Sequence, residues 1–198
     1  YEHRKDGHTL HVIDQTQTCT PIQSSNHELI WRGNDASNTG VGIQSFSNHA
    51  QLSFNGYTST SFDFKAPDQL QSVFTPPQVL AALLKLENYA YSGAYGFKDT
   101  DQGTNELKLR SQADYAANQA KFLSTNDAYA EIGRWFKLTR FSSSTDANNE
   151  FIITGIYHKA GNNYLFETDR ATAQYQSELI CLSRETPWLP QLNQNSQQ

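Results

Sequence analysis

Three histidines near the start of the chain are the first candidates for chemistry, because imidazole is a common zinc ligand. His3, His8 and His11 flank the dipeptide Asp6-Gly7, which favours the two-residue turn of a β-hairpin. Such a hairpin pairs His3 with Leu10, so His3 and His8 share one face and His11 lies on the other. A catalytic zinc site needs three convergent protein ligands. The histidines are therefore predicted to be polar strand residues, and no metal site is predicted.

Paired carboxylates and a lone histidine are the candidates for acid–base catalysis. Asp99 and Asp101 lie in the polar string KDTDQG, where a solvated turn is the favoured interpretation. His158 follows a strand-like run, and Glu167 or Asp169 could orient it as a base. At a strand end, however, a structural hydrogen bond is the more common role of a histidine. These residues do not predict a catalytic centre.

Arginine and tryptophan side chains could instead stack on a nucleobase or a sugar. Arg134, Trp135 and Arg140 are close in sequence, but the net charge is −5 and no basic block surrounds them. Nucleic-acid binding is therefore not predicted, and Trp135 and Trp188 are interpreted as core or interface anchors. The sequence also contains no Gly-x-Ser-x-Gly elbow, no glycine-rich phosphate loop and no Cys-x-x-Cys pair. No catalytic residue and no cofactor is predicted.

The composition indicates a sheet protein. The chain has 198 residues, of which 37% are hydrophobic and 12% aromatic, with ten tyrosines and eleven phenylalanines. Aromatic residues separated by Ser, Thr, Asn and Gly clusters are typical of short strands. No apolar run approaches 18 residues, so no membrane-spanning segment is predicted. Cys19 and Cys181 are far apart in sequence and are predicted to be buried small residues rather than a disulfide framework.

The most distinctive strand is predicted over residues 150–158. Phe151, Ile153 and Tyr157 alternate on one face of this strand, while Ile152 and Ile156 share the other. Two apolar faces predict a central strand that is covered on both sides. The glycine at position 155 interrupts the run and predicts a bulge or a bend.

One principal helix is predicted over residues 105–123, with Thr104 as its N-cap. A second, shorter helix is predicted over residues 75–87, with Thr75 at its start. The alternative interpretation of its leucine-rich part is a buried strand. The Gln- and Asn-rich residues 191–198 are predicted to be a linker.

Four motifs, in this order along the chain, resemble the hub region of VgrG, the spike protein family of bacterial type VI secretion, which is similar to the hub of contractile phage baseplates. The first motif is a Leu-Glu-x-Tyr-x-Tyr string that ends in Gly-x-Tyr, and the second is a Gly-x-x-Phe-x-Leu strand. The third is His-x-Ala-x-Asn at a strand end, and the fourth is a Pro-aromatic-x-Pro exit. The signature residues that match are Tyr89, Tyr91, Gly93, Tyr95, Gly133, Phe136, Leu138, His158, Asn162, Pro187, Trp188 and Pro190.

The resemblance implies a mainly β (α+β) fold, an antiparallel β-barrel-like phage-tail hub with one principal helix packed on the sheet. It implies a polar β-rich lobe over residues 1–88, a barrel-like lobe over residues 89–188 and a linker over residues 189–198. It further implies that a first lobe precedes this sequence and that an OB-like domain and a needle follow it.

The function implied by the resemblance is structural rather than enzymatic. Such hubs are homotrimers that match a threefold spike to the sixfold tube of Hcp rings, contact baseplate components and carry effector or adaptor proteins. The implied location is the bacterial cytoplasm during assembly, and then the medium or a target cell after secretion. The alternative is a carbohydrate- or peptide-binding β-domain that uses exposed tyrosines and Trp135. An appended hydrolase is a third hypothesis, for which the sequence offers no nucleophile or metal cluster.

Overall fold

A computed structural model describes residues 2–4, 7–13, 15–33, 40–48, 52–66, 68, 70–76, 86–141, 149–161 and 174–191. The described elements are strands β1 (Glu2–Arg4), β2 (Gly7–Thr9), β3 (Glu28–Ile30), β4 (Ile43–Asn48), β5 (Gly56–Phe62), β6 (Leu70–Thr75) and β7 (Glu87–Ala94), helix α1 (Thr100–Asn118), and strands β8 (Lys121–Thr125), β9 (Trp135–Thr139), β10 (Glu150–Gly161) and β11 (Gln174–Ser183). The mainly β fold with one helix is confirmed. Within this described part, no helix is both long and apolar enough to cross a lipid bilayer.

The chain forms two compact units, each built from two separate segments. The first unit contains residues 1–48 and 121–187, and the second contains residues 49–120 and 188–198. Both units draw on residues from each side of position 88. The division into lobes 1–88 and 89–188 stays a prediction.

The first unit is a curled six-stranded sheet, in the order β3-β9-β10-β11-β8-β4. Four of its five pairings are antiparallel, while β3 runs parallel to β9. The two outer strands of this order meet, because Trp31, directly after β3, forms a bridge with Ile43 of β4. The N–H of Arg32 donates to the carbonyl oxygen of Ile43 at 2.8 Å. The curled sheet thus closes along a short seam and leaves little exposed edge there.

The concave side of this sheet holds a continuous apolar core. Phe136, Phe151, Ile153, Leu179 and Cys181 are all fully buried in it. Strand β10 is flanked by β9 and β11, and Ile152 on its other face is also buried. The prediction that this strand is central and covered on both faces is therefore confirmed over residues 151–153.

The glycine in β10 marks a bulge, as predicted. Because of this bulge, the side chains beyond it do not alternate between the two faces as predicted. The register of β10 against β11 shifts between Ile153 and Gly155. An extra residue in a strand reverses which side chains face inward beyond it. Ile156 therefore packs against the core, while Tyr157 is 66% exposed. The prediction that Tyr157 shares the inner face of Phe151 was wrong for this reason.

The second unit is a three-stranded sheet, β6-β5-β7, with helix α1 packed on one face. Strand β5 pairs antiparallel with β6 and parallel with β7. Its small core consists of Tyr57, Val73, Phe97 and Leu107. The pairing is thus mixed here as well, rather than antiparallel throughout.

Helix α1 lies about one turn and a half before its predicted position. It spans Thr100–Asn118 instead of 105–123, because Asp99 rather than Thr104 is the N-cap and accepts a hydrogen bond from the N–H of Gln102 at 2.8 Å. The chain then enters strand β8 at Lys121. Strand β6 ends at Thr75 and β7 begins at Glu87, while residues 77–85 of the predicted 75–87 segment lie outside the described residues.

The N-terminal hairpin is present but in a different register. Its pairs are Glu2 with Thr9, His3 with His8 and Arg4 with Gly7, so each β1 residue pairs two positions earlier in the chain than predicted. Gly7 has a φ of +144°, a conformation that is accessible to glycine without steric cost. The pairing of His3 with Leu10 was therefore wrong.

Candidate functional site

The Gly-x-x-Phe-x-Leu motif builds the core of the first unit. Gly133 has a φ of +76°, and its N–H donates to the carbonyl oxygen of Ile153 at 2.8 Å, which anchors the turn before β9 to the central strand. Phe136 and Leu138 then point inward and are buried. The ring of Phe136 lies 5.8 Å from that of Phe151, centroid to centroid. This motif is structural: it sets the turn and fills the curled sheet.

The tyrosine motif lies on the face of the second sheet opposite to helix α1. Tyr89 and Tyr91 of β7 are 62% and 60% exposed and lie beside Thr58 and Thr60 of β5. The hydroxyls of Tyr89 and Thr60 are 2.7 Å apart. Phe74 of β6, beside Thr58, is also exposed. The motif therefore gives this sheet an open aromatic face.

The end of the tyrosine motif is a tight turn after β7. Gly93 has a φ of +77° and Tyr95 a φ of +57°. The N–H of Tyr95 donates to the carbonyl oxygen of Phe62 at 3.0 Å, and its ring packs edge-on against Phe64, with centroids 4.9 Å apart. Loss of hydration and a hydrogen bond to Asp63 raise the pKa of Tyr95. The turn fixes the position of one half-exposed aromatic ring.

His158 lies in an exposed part of β10 and makes a structural contact. Its Nδ1 is 2.8 Å from the hydroxyl of Tyr175 in the paired strand β11. Its proposed orienting carboxylates, Glu167 and Asp169, lie outside the described residues, as does the signature residue Asn162. The described geometry gives His158 a cross-strand hydrogen bond rather than a carboxylate partner.

The Pro-aromatic-x-Pro exit runs along the end of the described chain without regular structure. Pro187 and Pro190 are exposed, and Trp188 is 41% exposed. The following Gln191 donates its amide N–H to the Asp114 carboxylate on α1 at 3.1 Å. The predicted linker therefore begins with a residue that is attached to the helix of its own unit.

The remaining chemical candidates have structural roles. Asp99 caps α1, and Asp101 lies in the first helical turn, where the helix dipole favours a negative charge. The ring of Trp135 is covered by the guanidinium of Arg184, which lies 4.0 Å from its centroid. Arg184 in turn forms an ion pair with Glu150 at 2.8 Å. Trp135 is therefore an anchor, as predicted, and is not a free stacking platform.

Two buried thiols and one buried phenol favour their neutral forms. Burial raises the pKa of the Cys19 and Cys181 thiols, and both side chains are buried as predicted. Burial and the hydrogen bond to Asp114 raise the pKa of Tyr57. Across the described residues, no three His, Cys, Asp or Glu side chains come close enough to hold a metal ion.

Sequence reasoning missed the seam that closes the curled sheet. Gly42 lies so close to β3 that a Cβ on it would be 2.3 Å from the carbonyl oxygen of Ile30. The Gly42 N–H donates to the Asn126 side chain at 2.9 Å, and its carbonyl oxygen accepts from Thr125 at 2.9 Å. The glycines at positions 40 and 42 were the available signal, because glycine in a strand-like segment often marks a close backbone approach.

These features define a protein built from a curled six-stranded sheet and a smaller three-stranded sheet that carries one helix. The family model of the phage tail baseplate hub (GPD) matches residues 1–164 of the chain. Because this match covers most of the sequence, the chain belongs to the baseplate hub family.

Two solved structures are similar to this chain. The tail protein from Neisseria meningitidis MC58 superposes with a TM-score of 0.52 at 11% identity, over 83% of this chain and 45% of that one. The 43 kDa tail protein of prophage MuSo2 from Shewanella oneidensis has a TM-score of 0.49 at 7% identity, over 76% of this chain and 41% of that one. The chain thus spans less than half the length of these structures. No curated protein matches it significantly.

Proposed function

We propose that this chain is part of a hub of the VgrG type, which joins a trimeric spike to the hexameric Hcp tube of a type VI secretion machine. The observation that carries the proposal is the baseplate hub family match over residues 1–164, together with the ordered motifs that resemble VgrG. The curled sheet supports a mechanical role, because a sheet that closes on itself resists deformation and hides its edges.

In this proposal the protein transmits force and matches symmetry, without a chemical step. Three copies form a ring, and each copy presents two similar lobes to the sixfold tube. Contraction of a sheath then drives the tube, the spike and any attached effector or adaptor protein into a target cell. The protein assembles in the bacterial cytoplasm and is afterwards released into the medium or the target.

A hub of the VgrG type and a hub of a phage tail are two different roles, and a deletion experiment distinguishes them. The gene that encodes the full protein is deleted in the bacterium that carries it, and Hcp in the culture medium is measured by immunoblot. A secretion hub predicts that extracellular Hcp is lost while cellular Hcp is unchanged, and that the gene in trans restores secretion. Unchanged Hcp secretion, combined with loss of tailed particles after prophage induction, would assign the protein to a phage tail instead.

The trimeric state is measured on the full protein by light scattering after size exclusion. A mass of three protomers supports the proposal. A stable monomer at micromolar concentration contradicts the symmetry-matching role, even if the deletion result holds.

A further inference from the structure

A cleft at one end of the second sheet has the size of a small-molecule site. Its volume is about 390 Å³, and it lies between the end of β5, the start of β6 and the first turn of α1. Small-molecule sites are typically concave regions of roughly 300 to 1,000 Å³ with an apolar lining and a few polar groups. The cleft therefore has the size to hold a ligand of one or two rings.

Aromatic rings form the apolar part of this cleft. Phe62, Tyr95 and Phe97 line it. Phe97 is 3% exposed and belongs to the core, whereas Tyr95 is 47% exposed. Phe64 braces the Tyr95 ring edge-on and so extends the exposed aromatic surface beside the cleft. A ligand would meet a ring that is already held in place.

The polar lining offers both hydrogen-bond donors and acceptors. Asp63 provides carboxylate oxygens, Gln71 an amide, and Lys65 and Lys98 ammonium groups. Among the described residues, neither lysine forms an ion pair. A sugar hydroxyl both donates and accepts, so a lining of this mixed kind suits it.

Charge argues against an anionic ligand. The two lysines of the cleft are accompanied by Asp63 in its lining, by Asp99 at the N-cap of α1 and by Asp101 in the first turn of that helix. Three carboxylates near two ammonium groups leave no net positive field to attract a phosphate or a carboxylate. An uncharged polar ligand with an apolar face is the better fit.

The walls of the cleft are fixed before any ligand binds. The hydroxyl of Ser61 donates to the carbonyl oxygen of Gly93 at 3.2 Å and accepts from the N–H of Gly96 at 3.0 Å. The Gln102 side chain accepts from the N–H of Lys98 at 3.1 Å and donates to Glu106 at 2.8 Å. Prior ordering of this kind lowers the entropic cost of binding.

We propose that this cleft binds an uncharged saccharide, with one sugar ring stacked on Tyr95 and its hydroxyl groups bonded to Asp63 and Gln71. This inference goes beyond the proposed hub role, because the cleft is lined by the second unit, whereas the mechanical role was argued from the curled sheet of the first. It also relocates the sugar-binding hypothesis from Trp135, which Arg184 covers.

Isothermal titration calorimetry of the whole chain tests the proposal with three probes. N,N′-diacetylchitobiose and cellobiose are the uncharged disaccharides, and digalacturonate is the acidic comparator. We expect saturable binding of at least one uncharged probe, with a Kd on the order of 1 mM or tighter. Digalacturonate should bind at least about tenfold more weakly, because of the nearby carboxylates.

A matched pair of tyrosine variants locates the site. Tyr95→Gly removes the stacking ring and suits the positive φ at this position; we expect it to weaken binding about tenfold. Tyr91→Ala removes a similarly exposed tyrosine from the same sheet, outside the cleft, and should leave the Kd unchanged. Gln71→Ala should weaken binding about fivefold through loss of one hydrogen bond.

Three results would overturn the proposal. The first is the absence of saturable binding of either uncharged probe up to about 10 mM, a concentration at which a millimolar site would be mostly filled. The second is an equal loss of sugar affinity in Tyr95→Gly and Tyr91→Ala. The third is tighter binding of digalacturonate than of the uncharged disaccharides. If Tyr95→Gly fails to fold, amide chemical shifts of the unmutated chain decide the matter. The bound sugar must then perturb Gly96 and Gln102, and perturbations confined to other regions would contradict the cleft.

Discussion

The two units of this protein hold their sheets together in different ways. The first unit closes a curled sheet around an apolar core that contains Phe136, Phe151 and Ile153, all completely buried. The second unit is an open sheet with a four-residue core. The first sheet is stabilised by burial, while the second depends to a larger extent on polar contacts between strands.

The polar contacts of the second unit run along strand β5. Ser59 and Ser92 hydroxyls are 2.6 Å apart, and the Thr60 and Tyr89 hydroxyls are 2.7 Å apart. Ser59 and Thr60 are buried, so their hydrogen bonds offset the cost of removing hydroxyl groups from water. The comparison shows that one chain forms a sheet around a buried apolar core in one unit and an open sheet with an exposed aromatic face in the other.

Truncation in the core of the first unit should have the largest effect. Phe151→Ala removes a ring that contacts Phe136 at a 5.8 Å centroid distance, and should lower the free energy of unfolding by about 3 to 5 kcal/mol. Thermal unfolding measures the loss, and hydrogen exchange should rise in β9 and β10 more than in α1. The control Tyr157→Ala removes an exposed ring from the same strand and should change stability by less than about 0.5 kcal/mol. Equal effects of the two variants would contradict the central role of the core.

A methyl group at the seam should have the next largest effect. Gly42→Ala places a Cβ 2.3 Å from the carbonyl oxygen of Ile30, and this backbone clash should cost about 3 kcal/mol. Hydrogen exchange should increase around the bridge between Trp31 and Ile43. Gly161→Ala is the control, because a Cβ there meets no atom within 4 Å. An unchanged melting temperature for Gly42→Ala would show that the sheet does not close at this seam.

Removal of one polar contact in the second unit should have an intermediate effect. The Tyr57 hydroxyl donates to the Asp114 carboxylate at 2.8 Å, and a hydrogen bond to a charged group contributes about 1.5 to 3 kcal/mol. Tyr57→Phe should lower the free energy of unfolding by about 2 kcal/mol, measured by urea unfolding. Tyr91→Phe, which changes an exposed hydroxyl, is the matched control.

The same hydroxyl predicts a pH dependence. The pKa of Tyr57 is raised in the folded protein, so its contribution to stability is complete below the ordinary tyrosine pKa of about 10. The contribution should decrease as the pH rises above that value, because the unfolded chain loses its proton first. The Cys181 thiol in the first unit, whose pKa is also raised, should give a decrease that begins near its ordinary pKa of about 8.5. In urea unfolding at a series of pH values, Tyr57→Phe should abolish only the decrease in stability above about pH 10. An unchanged dependence of stability on pH would contradict the role of the Tyr57 hydroxyl.

Loss of the helix cap should have the smallest effect. Asp99→Ala removes the acceptor for the N–H of Gln102 and should cost about 1 kcal/mol, measured by thermal unfolding. Thr104→Ala, at the cap position that the sequence suggested, should cost less, since Thr104 lies inside the helix. The opposite order would favour a helix that begins near residue 105.

The start of helix α1 was encoded in the sequence, although the prediction placed it at Thr104. Asp99 and Gln102 are spaced like the two polar residues of a capping box, which marks the helix start, whereas the alanine-rich run beyond residue 113 extended the predicted helix too far. Tertiary packing overrides helix propensity at its end, because Lys121 and Leu123 alternate inward as strand β8 of the curled sheet.

Some site residues were also recognisable from the sequence, while the position of others depends on the tertiary structure. The Gly-x-x-Phe-x-Leu motif marked Phe136 and Leu138 as signature residues, and both are buried. The sequence could not indicate that Tyr95 would line a cleft with Gln71, because these residues come together only through the pairing of β5 with both β6 and β7. Contacts between residues distant in the chain follow from strand order, which local pattern does not encode.

The amino-acid sequence by itself determined the strand-rich class, the central strand near Phe151 and the bulge at Gly155, because side-chain alternation and glycine act over a few residues. Only the tertiary structure decided the closure of the sheet at Trp31 and Ile43, the parallel pairings, and the inward turn of Ile156 beyond the bulge. Those features depend on which strands meet and in which register, and the burial of a shared core selects among the alternatives.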